Sequence, residues 1–266
     1  MRFALSLALG ALLPASAAFA ETPLPSKYTM EDLRALGQSQ SWAELLEHVE
    51  DVRPSERKGE WSGLLEKAAV GYLETFAAQK KHAEAQMGAD SLLSRFPALK
   101  QAKSFMAKRT EVGLASLGQC FRDPYAAAQC VDAVDAFTKV DPGDLELAFR
   151  GAKLIVDVGR MRAPATPLFA RSLADKKQRA ARCKDGSLKE AALDAFGHPP
   201  EYASTKAAHA IAFEHCYVEL MPALLEAFYA SGGYGAENLC RGLTEKKAKL
   251  TAFQSALCKD KLAKGS

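Results

Sequence analysis

Between Glu56 and Ala78, the apolar side chains of Trp61, Leu64, Leu65, Ala68, Tyr72 and Phe76 fall at offsets 0, 3, 4, 7, 11 and 15. That spacing is one face of an α-helix held for about four turns. A shorter helix is predicted from Trp42 to about Glu50, where Leu45, Leu46 and Val49 follow a Ser41/Glu44 capping box. Another starts at His82, carries Leu92 and Leu93, and stops before Phe96-Pro97, where proline disfavours continuation. A fourth, over roughly Lys100 to Gln119, places Phe105, Val112 and Leu117 on one stripe.

Later starts are announced by a capping residue followed by proline: Asp123-Pro124, Asp141-Pro142 and Thr166-Pro167. Ser187 with Glu190 reads as a second capping box, and His198-Pro199-Pro200 separates that helix from one carrying Ala207, Ile211 and Val218. Pro222 should kink or break the helix beyond it. Ser231 to Gly235 reads as a glycine-rich turn, after which one last amphipathic helix takes Leu243, Leu250, Phe253 and Leu257 into a basic tail. The pattern predicts an all-α protein of about ten helices arranged as antiparallel hairpins, with no strand.

Trp61 to Phe76, the turn at Gln79 to His82, and the run Leu92-Leu93-Ser94-Arg95-Phe96-Pro97 together resemble one tetratricopeptide-type helix pair, over about 37 residues. The resemblance implies hairpins that stack as a solenoid, and with it a partner-binding surface.

Composition agrees with the helical reading. Beyond residue 20 there are 42 Ala and 28 Leu against 2 Ile, 10 Val and 9 Thr, which excludes a β-sandwich or barrel. The first 20 residues read as a secretory leader: Met1-Arg2, an apolar run from Phe3 to Ala17, then Ala18-Phe19-Ala20 as the cleavage signature. The apolar run is shorter than the ~20 residues that span a bilayer, so periplasmic or secreted localisation without stable membrane insertion is expected. Glu21 to Lys27, with Pro23 and Pro25, reads as an extended arm.

Six cysteines, Cys120, Cys130, Cys183, Cys216, Cys240 and Cys258, all follow residue 119. In an oxidising compartment their even number predicts disulfides. Of the 15 pairings, joining each cysteine to the next is the most economical, because each pair then flanks one helix-to-helix turn. Two parts are expected, a cysteine-free 21–119 and a disulfide-containing 120–266. The formal net charge of +3 implies neither nucleic acid nor an acidic membrane as partner. Its distribution is uneven, with residues 241 to 266 holding 7 Lys/Arg against 2 Asp/Glu.

Candidate chemistry is sparse. His209 and His215 lie six apart and face different sides of a helix, whereas His215 and Glu219 could share one face, which alone reads as a solvated pair. Glu214-His215-Cys216 places neighbours on different faces, and Cys216 is expected to be bridged. The turn at Ser231 to Gly235 lacks the Gly-x-x-x-x-Gly-Lys spacing of a phosphate loop. No Gly-x-Ser-x-Gly, His-Glu-x-x-His or dinucleotide fingerprint occurs, which removes the hydrolases recognisable by such motifs without excluding an enzyme, and no cofactor, metal or catalytic residue is assigned. Trp61, Tyr72 and Phe76 read as core rather than as a ligand cage. The basic stretch of Arg171, Lys176, Lys177, Arg179 and Arg182, continued by Lys184 and Lys189, is the candidate binding surface, set against a plain solvated helix face.

These features lead to an exported helical scaffold or adaptor that binds another envelope or secreted protein, or an anionic surface. An enzyme whose acid and base come from distant helices and a carrier with an apolar interhelical cavity are the alternatives.

Overall fold

The computed structural model describes residues 28–123, 130–197, 202–230 and 236–264. The leader, the Glu21 to Lys27 arm, the Pro124 helix start, the His198-Pro199-Pro200 break and the Ser231 to Gly235 turn lie outside the described residues. Within them are fourteen α-helices and no strand. In order, these are α1 (Met30–Gln38), α2 (Trp42–His48), α3 (Gly59–Ala78), α4 (His82–Arg95), α5 (Lys103–Arg122), α6 (Val131–Thr138), α7 (Leu145–Val158), α8 (Thr166–Ser172), α9 (Arg179–Arg182), α10 (Gly186–Gly197), α11 (Tyr202–His209), α12 (Tyr217–Ala230), α13 (Ala236–Glu245) and α14 (Ala252–Lys264). A π-helical segment, Ala210–His215, joins α11 to α12.

Most helices pack on a chain neighbour, as α3 does on α4 and α7 on α8, and α5 packs on both α3 and α7, so that these three form a spine. Two large apolar cores result, with a small third cluster of Ala163, Ala195 and Ala208. Leu33, Leu45, Leu65, Leu73, Leu92 and Phe105 centre the first, and Phe121, Phe137, Ile155, Phe169, Leu188 and Leu224 centre the second. The change from one to the other falls inside α5, whose Phe105 belongs to the first core and whose Leu117 and Phe121 belong to the second. The helix α5 spans residues 119 and 120, where the cysteine-free and cysteine-containing parts meet.

Three helices, α1, α3 and α13, end in the same way, with Gln40, Lys80 and Lys247 at positive φ (57°, 59° and 52°). In each, the next N–H reaches back to the carbonyl five residues earlier: Ser41 to Leu36, Lys81 to Phe76, Ala248 to Leu243. This closure satisfies orphan carbonyls and favours glycine at the left-handed position, yet none of the three is glycine.

The three cysteine pairs are those joined in sequence: Cys120–Cys130, Cys183–Cys216 and Cys240–Cys258, with Cα–Cα separations of 5.8, 5.2 and 5.2 Å. All lie in the second half. The longest bridge spans 33 residues, for which loop closure contributes about 3 to 4 kcal/mol.

Several local expectations are corrected. Ser41 makes no side-chain cap to α2; its hydroxyl meets that of Ser39, and Glu44 accepts from the Tyr28 hydroxyl. The capping box sits one helix earlier, between Thr29 and Asp32 on α1. Asp141-Pro142 does not start a helix. The Asp141 carboxylate instead accepts from Gly143 and Asp144 N–H in a turn, and Asp144 caps α7 through the N–H of Leu147. Thr166 lies inside α8, its hydroxyl donating to Ala163 O, while Asp185 rather than Ser187 supplies the side-chain acceptor at the start of α10. Pro222 is accommodated within α12; the interruption precedes it, at the π segment and Cys216. The single final helix is two, because the turn at Lys247 folds α14 back beside α13 under the Cys240–Cys258 bridge and leaves Phe253 60% exposed.

Close approach depends on glycine at Gly71, where a methyl group would overlap the Trp42 ring, and at Gly151, where it would overlap Phe137. Gly151→Ala is accordingly expected to cost about 2 kcal/mol by overpacking, read as a lower urea midpoint at unchanged slope. Gly63→Ala, with open space around it in α3, should be neutral or stabilising.

Acid is expected to weaken the tie between α7 and the start of α10. Burial works against ionisation of Asp185, but the Lys153 ammonium at 3.0 Å and the Ser187 N–H outweigh it and hold the carboxyl below its ordinary value near 3.8. A carboxyl depressed on folding stabilises above its unfolded pKa and loses that effect as pH falls through the folded one. Asp185→Asn should therefore lower the melting temperature at neutral pH, and the difference from the parent protein should shrink to nothing once the carboxyl is protonated in both the folded and the unfolded chain.

Candidate functional site

The side chains with unusual environments gather on one seam. Along α4, His82, Gln86, Asp90 and Leu93 sit at offsets 0, 4, 8 and 11, one stripe of the helix, while Ala85, Ala89 and Leu92 form its buried apolar stripe. At one end, Asp90 reaches α5. Its carboxylate accepts from Nε and Nη2 of Arg109 at 3.2 and 2.6 Å. Arg109 is 6% exposed and donates as well to the carbonyls of Lys139 and Val140, beyond the last turn of α6. Such carbonyls lack intrahelical partners, and a guanidinium fork satisfies two at once.

The stripe is otherwise unsatisfied. The Nδ1 of His82 and the Nε2 of Gln86 are buried and have no hydrogen-bond partner, each a group that costs about 1 to 3 kcal/mol to leave unmade. Gln86 is only 4% exposed.

A groove opens at each end of the seam. The one at the Asp90–Arg109 end, about 500 Å³, is lined by Leu93, Met106 and Val140 and carries mixed charge from Asp90, Asp141, Lys100 and Lys139. The one at the His82 end, about 480 Å³, has an apolar floor of Leu114, Gly118 and Leu154 under Lys80, Arg122 and Gln119, with no carboxylate among its described lining residues. Both volumes lie in the range of small-molecule sites.

The basic stretch is not a continuous charged surface. Arg182 is 4% exposed, donating to Ser172 O and to Glu146 at 2.6 Å. Arg179 donates to Leu173 O at 2.8 Å. Arg171 donates to the carbonyls of Thr138, Asp141 and Pro142. These three guanidinium groups are tied to backbone, the fixed geometry in which arginine outperforms lysine. Lys176, Lys177, Lys184 and Lys189 are the exposed remainder.

The other named residues are dispersed. The Nδ1 of His48 lies 2.9 Å from Asp51 and its ring stacks on Tyr28. His209 stacks on Phe213 and meets Phe196 edge-on. His215 and Glu219 fall on either side of the junction between the π segment and α12, and Cys216 is bridged to Cys183. Trp61 is half-buried and donates to Val49 O at 2.8 Å, and Tyr72 meets Phe76 edge-on at 5.0 Å, all three lying in the first half. Among the described residues, no group of three or more His, Cys, Asp or Glu side chains is placed to hold a metal ion, and no helix is long and apolar enough to cross a membrane.

Large apolar side chains are exposed mainly late in the chain: Phe213 (46%), Val218 (43%), Tyr229 (37%) and Phe253 (60%), against Met87 alone in the first half. Phe213 continues into Tyr217, whose ring carries Lys246 over it at 4.8 Å. Burial, with a smaller contribution from Glu245, pushes the Tyr217 hydroxyl above its ordinary value.

Arg109→Met is expected to lower stability by about 2 to 3 kcal/mol, since it leaves a buried carbonyl unpaired while Asp90, 42% exposed, stays hydrated. A double-mutant cycle with Asp90→Asn, read by urea denaturation, should return a coupling of about 1 kcal/mol or more. Compared with known proteins, the chain matches no family model, no curated protein and no solved structure.

Proposed function

We propose that this chain is an exported helical scaffold that holds another envelope or secreted protein against its second half. The observation that carries the reading is the concentration of exposed apolar side chains there. Phe213, Val218, Tyr229 and Phe253 are four of the five large hydrophobic residues left exposed among the described residues. Exposed aromatic side chains are the kind of group that interaction surfaces enrich and bury. The surrounding sequence is basic, with 7 Lys/Arg against 2 Asp/Glu in residues 241 to 266, which favours a partner whose apolar contact is rimmed by carboxylates. The leader-like N-terminus and the three disulfides support export, because such bridges persist in oxidising compartments. The tetratricopeptide-type resemblance of Trp61 to Pro97 supports the scaffold architecture.

The test is cross-linking in the native envelope fraction, identification of the captured protein, and direct measurement of its affinity. Phe253→Ser should weaken binding by about tenfold or more with little change in melting temperature, since its side chain is already 60% exposed. Unchanged affinity would remove the surface from consideration. Lys176→Glu with Lys177→Glu should alter mainly the salt dependence of association.

A further inference from the structure

We infer that the Cys120–Cys130 bridge is a thiol-exchange site, which an external thiol opens at Cys120 and where that thiol is held as a mixed disulfide. The inference is independent of the scaffold reading, because the bridge joins the end of α5 to the start of α6, away in sequence from Phe213, Val218, Tyr229 and Phe253.

Two features set this bridge apart from the other two. The first is access. Of the six cysteines only Cys120 is half-buried, whereas Cys130, Cys183, Cys216, Cys240 and Cys258 are 0%, 4%, 0%, 0% and 5% exposed. Cys120 sits in the last turn of α5, with Gln119, Arg122 and Asp123 exposed beside it. Exchange depends on which sulfur an attacking thiolate can reach, so access selects both this bond and its Cys120 end. Cys130 is then the leaving group.

The second feature is where the charge of the leaving sulfur falls. Cys130 occupies the N-cap position of α6, where the N–H groups of the first turn lack intrahelical partners and the helix dipole favours a negative charge. Asp132 in the same turn opposes part of that effect. Cys183 and Cys216 stand at the opposite kind of end, the C-caps of α9 and of the π segment, where carbonyl groups disfavour a thiolate. Cys240 and Cys258 lie inside α13 and α14. A thiolate whose charge is better accommodated leaves faster, so position and access favour the same direction of attack.

In the step itself, the sulfur of the external thiolate bonds to Cys120 Sγ as the Sγ–Sγ bond breaks. The electron pair of that bond goes to Cys130, which takes up a proton from water. The bridge is itself the oxidant, and the thiol is the only co-reactant. Return of the Cys130 thiolate onto Cys120 expels the thiol and restores the bridge. The change is confined to the α5–α6 junction, because the far end of α6 stays tied to α5 through Arg109.

The experiment exposes the folded, fully oxidised protein to glutathione, quenches with acid, alkylates free thiols and maps the products by mass spectrometry. A glutathione adduct on Cys120 with an alkylated Cys130 is expected, formed about tenfold or more faster than any product at the other four cysteines. A reduced Cys-x-x-Cys protein in a parallel arm should open the same bond first, and the ratio of the two rates distinguishes a small thiol from a protein-borne one. An adduct on Cys130, earlier opening of either other bridge, opening of all three together, or no adduct short of unfolding would each overturn the assignment. With glutathione disulfide, Cys130→Ser, which retains the Cys120 thiol, should form its adduct about tenfold faster than Cys120→Ser. Equal rates would also count against the proposal, and the mapping on the parent protein stands whether or not these variants fold.

Discussion

The short turn from Thr138 to Pro142 holds the molecule together, and it does so through two arginines that arrive from opposite directions. Arg109, on α5, donates to the carbonyls of Lys139 and Val140, and Arg171, on α8, to those of Thr138, Asp141 and Pro142. Five consecutive carbonyls are thereby satisfied by side chains from before and after them in sequence. A turn carries more orphaned backbone groups than a helix, and burying one requires such donors. Lysine, with a single ammonium, could not reproduce the arrangement. Arg109 then extends the link to Asp90, so that the first core is tied to the second by the same guanidinium that closes α6.

Much of the fold is legible as pattern. The helices around Trp61–Phe76 and His82–Arg95 follow from periodicity and from Pro97, and the all-α class from the scarcity of β-branched residues. The disulfide pairing follows from placing each turn between neighbouring cysteines. Capping is less legible, because Ser41, Asp141 and Ser187 are good cap residues that lose to better-placed competitors: a hydroxyl pair, a turn, and Asp185 two positions earlier. Local sequence does not say which acceptor tertiary packing will bring to an N–H. The last two helices read as one because Leu243, Leu250 and Leu257 share a spacing that a hairpin turn at Lys247 also permits.

The seam is harder to see for a related reason. A polar stripe of His82, Gln86 and Asp90 looks in sequence like the solvated side of an amphipathic helix, and only the spine helix α5 packed over it turns it into an interior feature. Arg171, Arg179 and Arg182 show the converse. Their charge suggests a surface, whereas their donors make them internal ties. In both cases the residue type is plain and its depth is not. Which side chains the second helix layer covers is decided by long-range packing.

The order of the three disulfides has a consequence for how the chain matures. Each cysteine pairs with the next to appear, across 10, 33 and 18 residues, and no bridge encloses or crosses another. For a polypeptide threaded through a membrane N-terminus first, an oxidant that simply joins cysteines as they emerge arrives at the native set. In such a passage the cysteine-free residues, most of α5 among them, would emerge before the first cysteine. Sequential pairing of this kind reaches the native set without any reshuffling of mispaired thiols.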